Sequence, residues 1–131
     1  MLGVNMDLQP YLIVFLGAGI GGTLRHAVNT LSTRLAGPDV PAGTLTVNVV
    51  GSLVVGMLAG FLASRGQVDP AWRLFAMTGL LGGFTTFSAF SLETAQLWQR
   101  GQLVAAAAYV SGSVVLSVGA VFLGLALTRA A

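Results

Sequence analysis

Gly79-Leu-Leu-Gly-Gly-Phe-Thr-Thr-Phe-Ser-Ala-Phe-Ser91 lies inside a charge-free window that runs from Leu74 to Leu92. The window is close to the roughly 20 apolar residues that carry a helix across a bilayer. A plain lipid-facing helix would hold Leu, Ile or Val at its middle, whereas this one holds two adjacent glycines and four hydroxyl residues. That composition predicts a local break in the helix. Backbone freed at membrane depth is tolerated only where protein buries it or where it lines a polar cavity, and it can then offer carbonyls to a cation. Composition alone also admits a kinked packing helix.

Outward from this segment, three more charge-free windows appear: Leu8 to Leu24, Val40 to Ser64 and Gly101 to Thr128. Polar or helix-breaking stretches separate the windows: residues 34–41 with Gly37, Pro38, Asp39 and Pro41, residues 65–70 with Gly66, and residues 99–102 with Gly101. The chain therefore reads as an all-α membrane protein, a single four-helix transmembrane domain over 1–131 with spans near 9–33, 43–64, 71–98 and 102–128 and the third helix broken mid-membrane. Glycine occurs 18 times, about twice the usual share. Gly17 with Gly21, the series Ser52, Gly56, Gly60, and Gly79 with Gly83 stand at four-residue spacing, which lets helix backbones approach closely in lipid.

Composition removes most other classes. Of 131 residues, 55% are hydrophobic and 8% charged, against roughly 25% charged in a soluble domain. The charges are six Arg and four acids, with a net charge of +2, too sparse for a nucleic-acid surface. Without Cys, and with His26 as the only histidine, there is no thiolate nucleophile, Cys-metal site or His cluster, and no enzyme is expected. Asp7 and no basic residue precedes the first apolar run, which lacks the charged start of a cleavable signal peptide.

Three stretches, Gly82-Gly-Phe-Thr-Thr-Phe-Ser-Ala-Phe90, Gly43-Thr-Leu-Thr-Val-Asn-Val-Val-Gly-Ser52 and Gly21-Gly-Thr-Leu-Arg25, closely resemble the signatures of the CrcB/Fluc fluoride channels. Length, span number and motif order agree along essentially the whole chain. Ala89, where the family often has Thr or Ser, and His26, where an aromatic commonly follows the arginine, depart from the pattern. The resemblance implies an antiparallel dual-topology homodimer in the cytoplasmic (inner) membrane of a microbe. It further implies two narrow fluoride pores per dimer, a structural sodium ion at the dimer axis, and passive export that confers fluoride resistance.

Fluoride is small and strongly hydrated, so a narrow pore must replace its water with hydrogen-bond donors without trapping it. Phe87 and Phe90 stand three apart on one helical face, and an aromatic ring carries a positive edge that can meet an anion. Spacing alone reads as core packing; the resemblance makes them pore-lining. Asn48 sits mid-span, where an amide must face protein, water or an ion. Its residue type fits an interhelical hydrogen bond, and the resemblance implies a fluoride donor, with Thr44 one turn earlier as a supporting candidate. Tyr109, Ser113 and Ser117 recur every fourth residue of the last span and trace one stripe, either a polar track, as the resemblance implies, or hydroxyls bonded to their own helix. The resemblance also makes the main-chain carbonyls of Gly82 and Thr85 sodium ligands and Arg25 a vestibule residue; Arg25 alone could equally snorkel to the interface. Glu93 either orients the hydroxyls of Tyr109 or Thr44 or is an interfacial carboxylate. Trp72 and Trp98 read as interface anchors.

A small proton-coupled multidrug-type exporter needs a buried titratable carboxylate, and only Glu93 lies near a span. A structural subunit of a membrane complex would account for the glycines but not for the Thr/Phe/Ser segment. Orientation is set by excess Lys and Arg in short cytoplasmic loops. Arg65, Arg73 and Arg129 fall on one side, Arg34 and Arg100 with Arg25 close by on the other, a near-balance that favours insertion both ways.

Overall fold

The computed structural model describes residues 6–129. Four helices long and apolar enough to cross a membrane occupy Gln9–Ala36, Ala42–Ser64, Pro70–Gln99 and Leu103–Arg129. The shortest has 23 residues, about 34 Å at 1.5 Å per residue, enough for a hydrocarbon core of roughly 30 Å. We call the first two α1 and α2. The third is divided into α3 (residues 70–84) and α4 (Phe87–Gln99), and the last is α5 (Leu103–Arg129).

Local chemistry explains where each helix begins and ends. Pro10 occupies the first turn of α1, where its missing N–H costs nothing. Asp69 caps α3 by accepting from the Ala71 N–H at 2.9 Å, with Pro70 behind it. α4 closes on Gly101 at φ 74°; the Gly101 N–H donates to the Trp98 carbonyl at 2.9 Å and the Gln102 N–H to the Leu97 carbonyl at 3.0 Å. This is a Schellman end, and it turns the chain directly into α5.

α1 packs on α3 and α2 on α5, and α1 against α2 joins the two pairs. Both main seams depend on missing side chains. A Cβ on Gly17 would stand 2.7 Å from the Phe75 carbonyl oxygen, and one on Gly83 would stand 2.6 Å from that of Ala18. Gly56 and Gly124 make the equivalent close approach between α2 and α5. Ser52, expected in the same small-residue row as Gly56 and Gly60, instead lines a largely apolar groove. A thin buried core suits this construction: Val47, Ala76, Leu81, Leu97, Ala106, Tyr109 and Ala120 make up its apolar part. Most large apolar side chains point outward, among them Phe15, Val104, Val115 and Phe122, as expected where lipid rather than water is the solvent.

The break falls two residues beyond the glycine pair. Gly82–Phe84 is still helical, preceded by a π-helical stretch at Leu74–Leu81. Thr85 (φ −84°, ψ 160°) and Thr86 (φ −154°, ψ 126°) are extended. Gly83 serves packing against α1, and the β-branched threonines take the extended backbone.

Candidate functional site

The broken segment is stapled from across the bundle. The Asn48 Nδ2 donates to the Thr86 carbonyl at 2.8 Å, and the Thr86 N–H donates to Asn48 Oδ1 at 2.8 Å. One carboxamide on α2 thus satisfies both main-chain groups of a residue that is 8% exposed, which the bilayer interior could not hydrate. One Nδ2 hydrogen of Asn48 remains uncommitted by these bonds. Thr86 also restarts the helix, since its Oγ1 accepts from the Ala89 N–H at 3.2 Å as an N-cap.

These bonds redirect two amides. In a continuous helix the Thr86 N–H would serve the Gly82 carbonyl and the Ala89 N–H that of Thr85. With both amides turned to side chains, the carbonyls of Gly82 and Thr85 lose their helical partners. Gly82 is exposed, and carbonyl oxygen is a donor type that suits a hard cation.

Beyond the break, an aromatic ladder rises along α4 toward α5. The Phe87 and Phe90 ring centroids are 5.4 Å apart at 52°, and those of Phe90 and Tyr109 are 5.3 Å apart at 48°. The Tyr109 hydroxyl donates to Glu93 Oε2 at 2.5 Å, and the Thr44 hydroxyl donates to Glu93 Oε1 at 2.7 Å. Both oxygens of Glu93 hold hydroxyls from neighbouring helices. Asn48, Thr85, Thr86, Phe87, Phe90, Ser113 and Ser117 line one open groove together with four valines. Ser113 Oγ is buried there without a hydrogen-bond partner, so it does not bond back to its own helix. Phe87 is 78% exposed, and a single chain leaves its side of the groove unenclosed.

Arg25 is half-exposed on α1 and lines neither this groove nor the polar chamber beside Glu93. The sequence drew attention to Asn48 as a buried amide but not to its bonds to Thr86, and Thr86 was not singled out. A β-branched hydroxyl residue just before an apolar turn is a helix-start signal that pointed to it. Asn29 was also passed over. Its Oδ1 is buried without a partner, beside Gly43, where a Cβ would overlap it.

A family model described as CrcB-like protein, Camphor Resistance (CrcB), matches residues 12–125. This chain belongs to the CrcB family. The match takes in the break, the groove and the Glu93 cluster together. Among CrcB relatives, the chain is 57% identical over 119 residues to a protein of Nitrobacter hamburgensis named fluoride-specific ion channel FluC 2, covering 91% of this chain and 96% of that one. A fluoride-specific ion channel FluC of Rhodopseudomonas palustris (strain BisB5) is 53% identical over 122 residues, covering 93% and 98%. One of Methylobacterium nodulans is 54% identical over 118 residues, covering 90% and 94%.

Proposed function

We propose that the protein is a fluoride-selective channel that lets fluoride leave the cell passively through the cytoplasmic membrane. The observation that carries this reading is the groove's lining. Asn48 with its spare N–H, the rings of Phe87 and Phe90 and the unpartnered Ser113 hydroxyl supply uncharged donors, set among Val55, Val114, Val118 and Val121 in a mainly apolar groove. Such donors can replace an anion's water one group at a time, whereas a fixed cation would bind it too tightly to release. The relatives' names give the anion its identity.

Two copies form the working unit, in antiparallel orientation, so that the partner closes the face on which Phe87 lies open and each dimer carries two pores. At the two-fold axis, the carbonyls of Gly82 and Thr85 from both copies would supply four oxygens to a sodium ion. Its part is structural, to neutralise carbonyls that the break has deprived of amides. Arg25, half-exposed on α1 outside both spaces, would attract anions toward the pore from the bundle surface. A proton-coupled exporter finds no support, because the only acid in the spans is Glu93, whose oxygens already hold Thr44 and Tyr109.

Purified protein in liposomes tests the reading, with fluoride and chloride efflux followed separately by ion-selective electrodes. Fluoride leaves without an imposed proton gradient and much faster than chloride. Equal rates for the two anions, or efflux only against an inward proton gradient, would overturn it.

A further inference from the structure

Where the loop after α1 meets the end of α4, a second polar space opens between the helices. It has a volume of about 170 Å³, well above the roughly 10–15 Å³ that one water needs. Asn29 and Ser32 of α1, Asp39 of the loop, and Glu93, Gln96 and Arg100 of the α4 side line it. Its floor is the carboxylate of Glu93 with the hydroxyls of Thr44 and Tyr109 bound to it. Directly across that floor the Tyr109 ring lies against Phe90, which lines the donor groove. Contacts from Glu93 to Tyr109 and from Tyr109 to Phe90 link the chamber to the groove.

The charges around the chamber are Asp39, Glu93 and Arg100, formally −1 in sum. For an anion this balance is adverse, and among the described residues Arg100 is the one cation lining the space. Arg100 Nη1 stands 3.0 Å from Asp39 Oδ1, with the two side chains 48% and 79% exposed. An ion pair that open to water adds little to stability, so fold alone gives it no evident purpose. The Schellman end of α4 nevertheless fixes Arg100 at the rim.

We propose that this chamber is the water-filled mouth of the pore at the Glu93 end, and that Arg100 supplies the charge that admits anions while Asp39 attenuates it. The inference rests on the fluoride-channel reading and adds to it a second mouth and the residues that set its traffic. Electrostatic focusing at an ion's entry is a rate effect, strong at low salt and screened at high salt.

The test uses full-length protein in liposomes carrying Arg100→Gln, Asp39→Asn, or both, with initial fluoride efflux measured at low and at high ionic strength. Thermal unfolding in detergent checks that each variant is folded. At low ionic strength, Arg100→Gln lowers the rate about twofold and Asp39→Asn raises it about twofold, the size expected for one charge about 10 Å away across water. The double variant restores the formal sum and returns near the wild-type rate, and at high salt all four proteins converge. Both single substitutions break the same ion pair, so a merely structural role would move them in the same direction. That result, unchanged rates at low salt, or changes that persist at high salt would overturn the mouth while leaving the channel intact. Wild-type protein that passes no fluoride would overturn the channel reading and the mouth with it.

Discussion

Replacing Asn48 with Ala should unfasten the break before it does anything else. The substitution deletes both bonds to Thr86, each 2.8 Å long. Two interhelical hydrogen bonds at the average of about 0.6 kcal/mol found in membranes would amount to about 1 kcal/mol. The loss here is larger, because it leaves a buried N–H and a buried carbonyl on Thr86 with no water to replace the amide. At about 1–3 kcal/mol for each of the two orphaned groups, we expect a total of about 2–6 kcal/mol. Asn48→Asp keeps an acceptor for the Thr86 N–H but sets a carboxylate oxygen against the Thr86 carbonyl, so it also destabilises and places an anion in the groove. Thr46→Val is the control, since that hydroxyl bonds only to the Ala42 carbonyl of its own helix on an exposed surface; it should cost less than about 0.5 kcal/mol. Reversible unfolding of the purified protein in mixed micelles, titrated with a denaturing detergent, measures all three. An Asn48→Ala protein within 0.5 kcal/mol of the Thr46→Val control would refute the staple.

Phe87→Ile and Phe90→Ile retain bulk and remove the ring edge. In correctly assembled protein each should lower liposome fluoride flux roughly twofold to tenfold, the equivalent of about 0.5–1.5 kcal/mol; undiminished flux in both would put the pore on another face. Tyr109→Phe keeps the ring against Phe90 and removes the 2.5 Å bond to Glu93. Donation to a charged group is worth about 1.5–3 kcal/mol, and the same detergent titration should read a loss in that range. Reporter fusions at the C-terminus, one active only in the cytoplasm and one only outside it, should both give signal. Adding two or three Arg to the turn at residues 99–102 should bias insertion to one orientation and reduce functional assembly. A single orientation in the unmodified chain would remove the charge-balance argument for antiparallel pairing.

The helices were legible because a membrane leaves a coarse signature: charges at the window edges and Gly or Pro between windows suffice to divide the chain. The break was legible to within the segment Gly79 to Ser91, which contains the extended Thr85 and Thr86, but not to the residue. Gly82 and Gly83 drew the eye, yet they stay helical because Ala18 of α1 packs against Gly83. The extended residues are Thr85 and Thr86, whose conformation is set by an amide 38 positions earlier in the chain. Asn48 could be recognised as an amide in need of a partner, but its partner was a main-chain group, which no residue type advertises. Glu93 stood between two readings because the hydroxyls it holds, Thr44 49 positions away and Tyr109 16, reach it only in the fold. The chamber at the end of α4 was invisible, because Asp39 and Arg100 lie 61 positions apart in two polar turns and only folding brings them together.

The selectivity of the pore itself is tested most directly by a reversal potential. Protein is incorporated into a planar bilayer with a tenfold fluoride gradient and equal chloride on both sides. If fluoride alone carries the current, it reverses near 60 mV, the potential at which one elementary charge gains the 1.4 kcal/mol of a tenfold ratio. A reversal near zero, with current that follows a chloride gradient instead, would contradict the account.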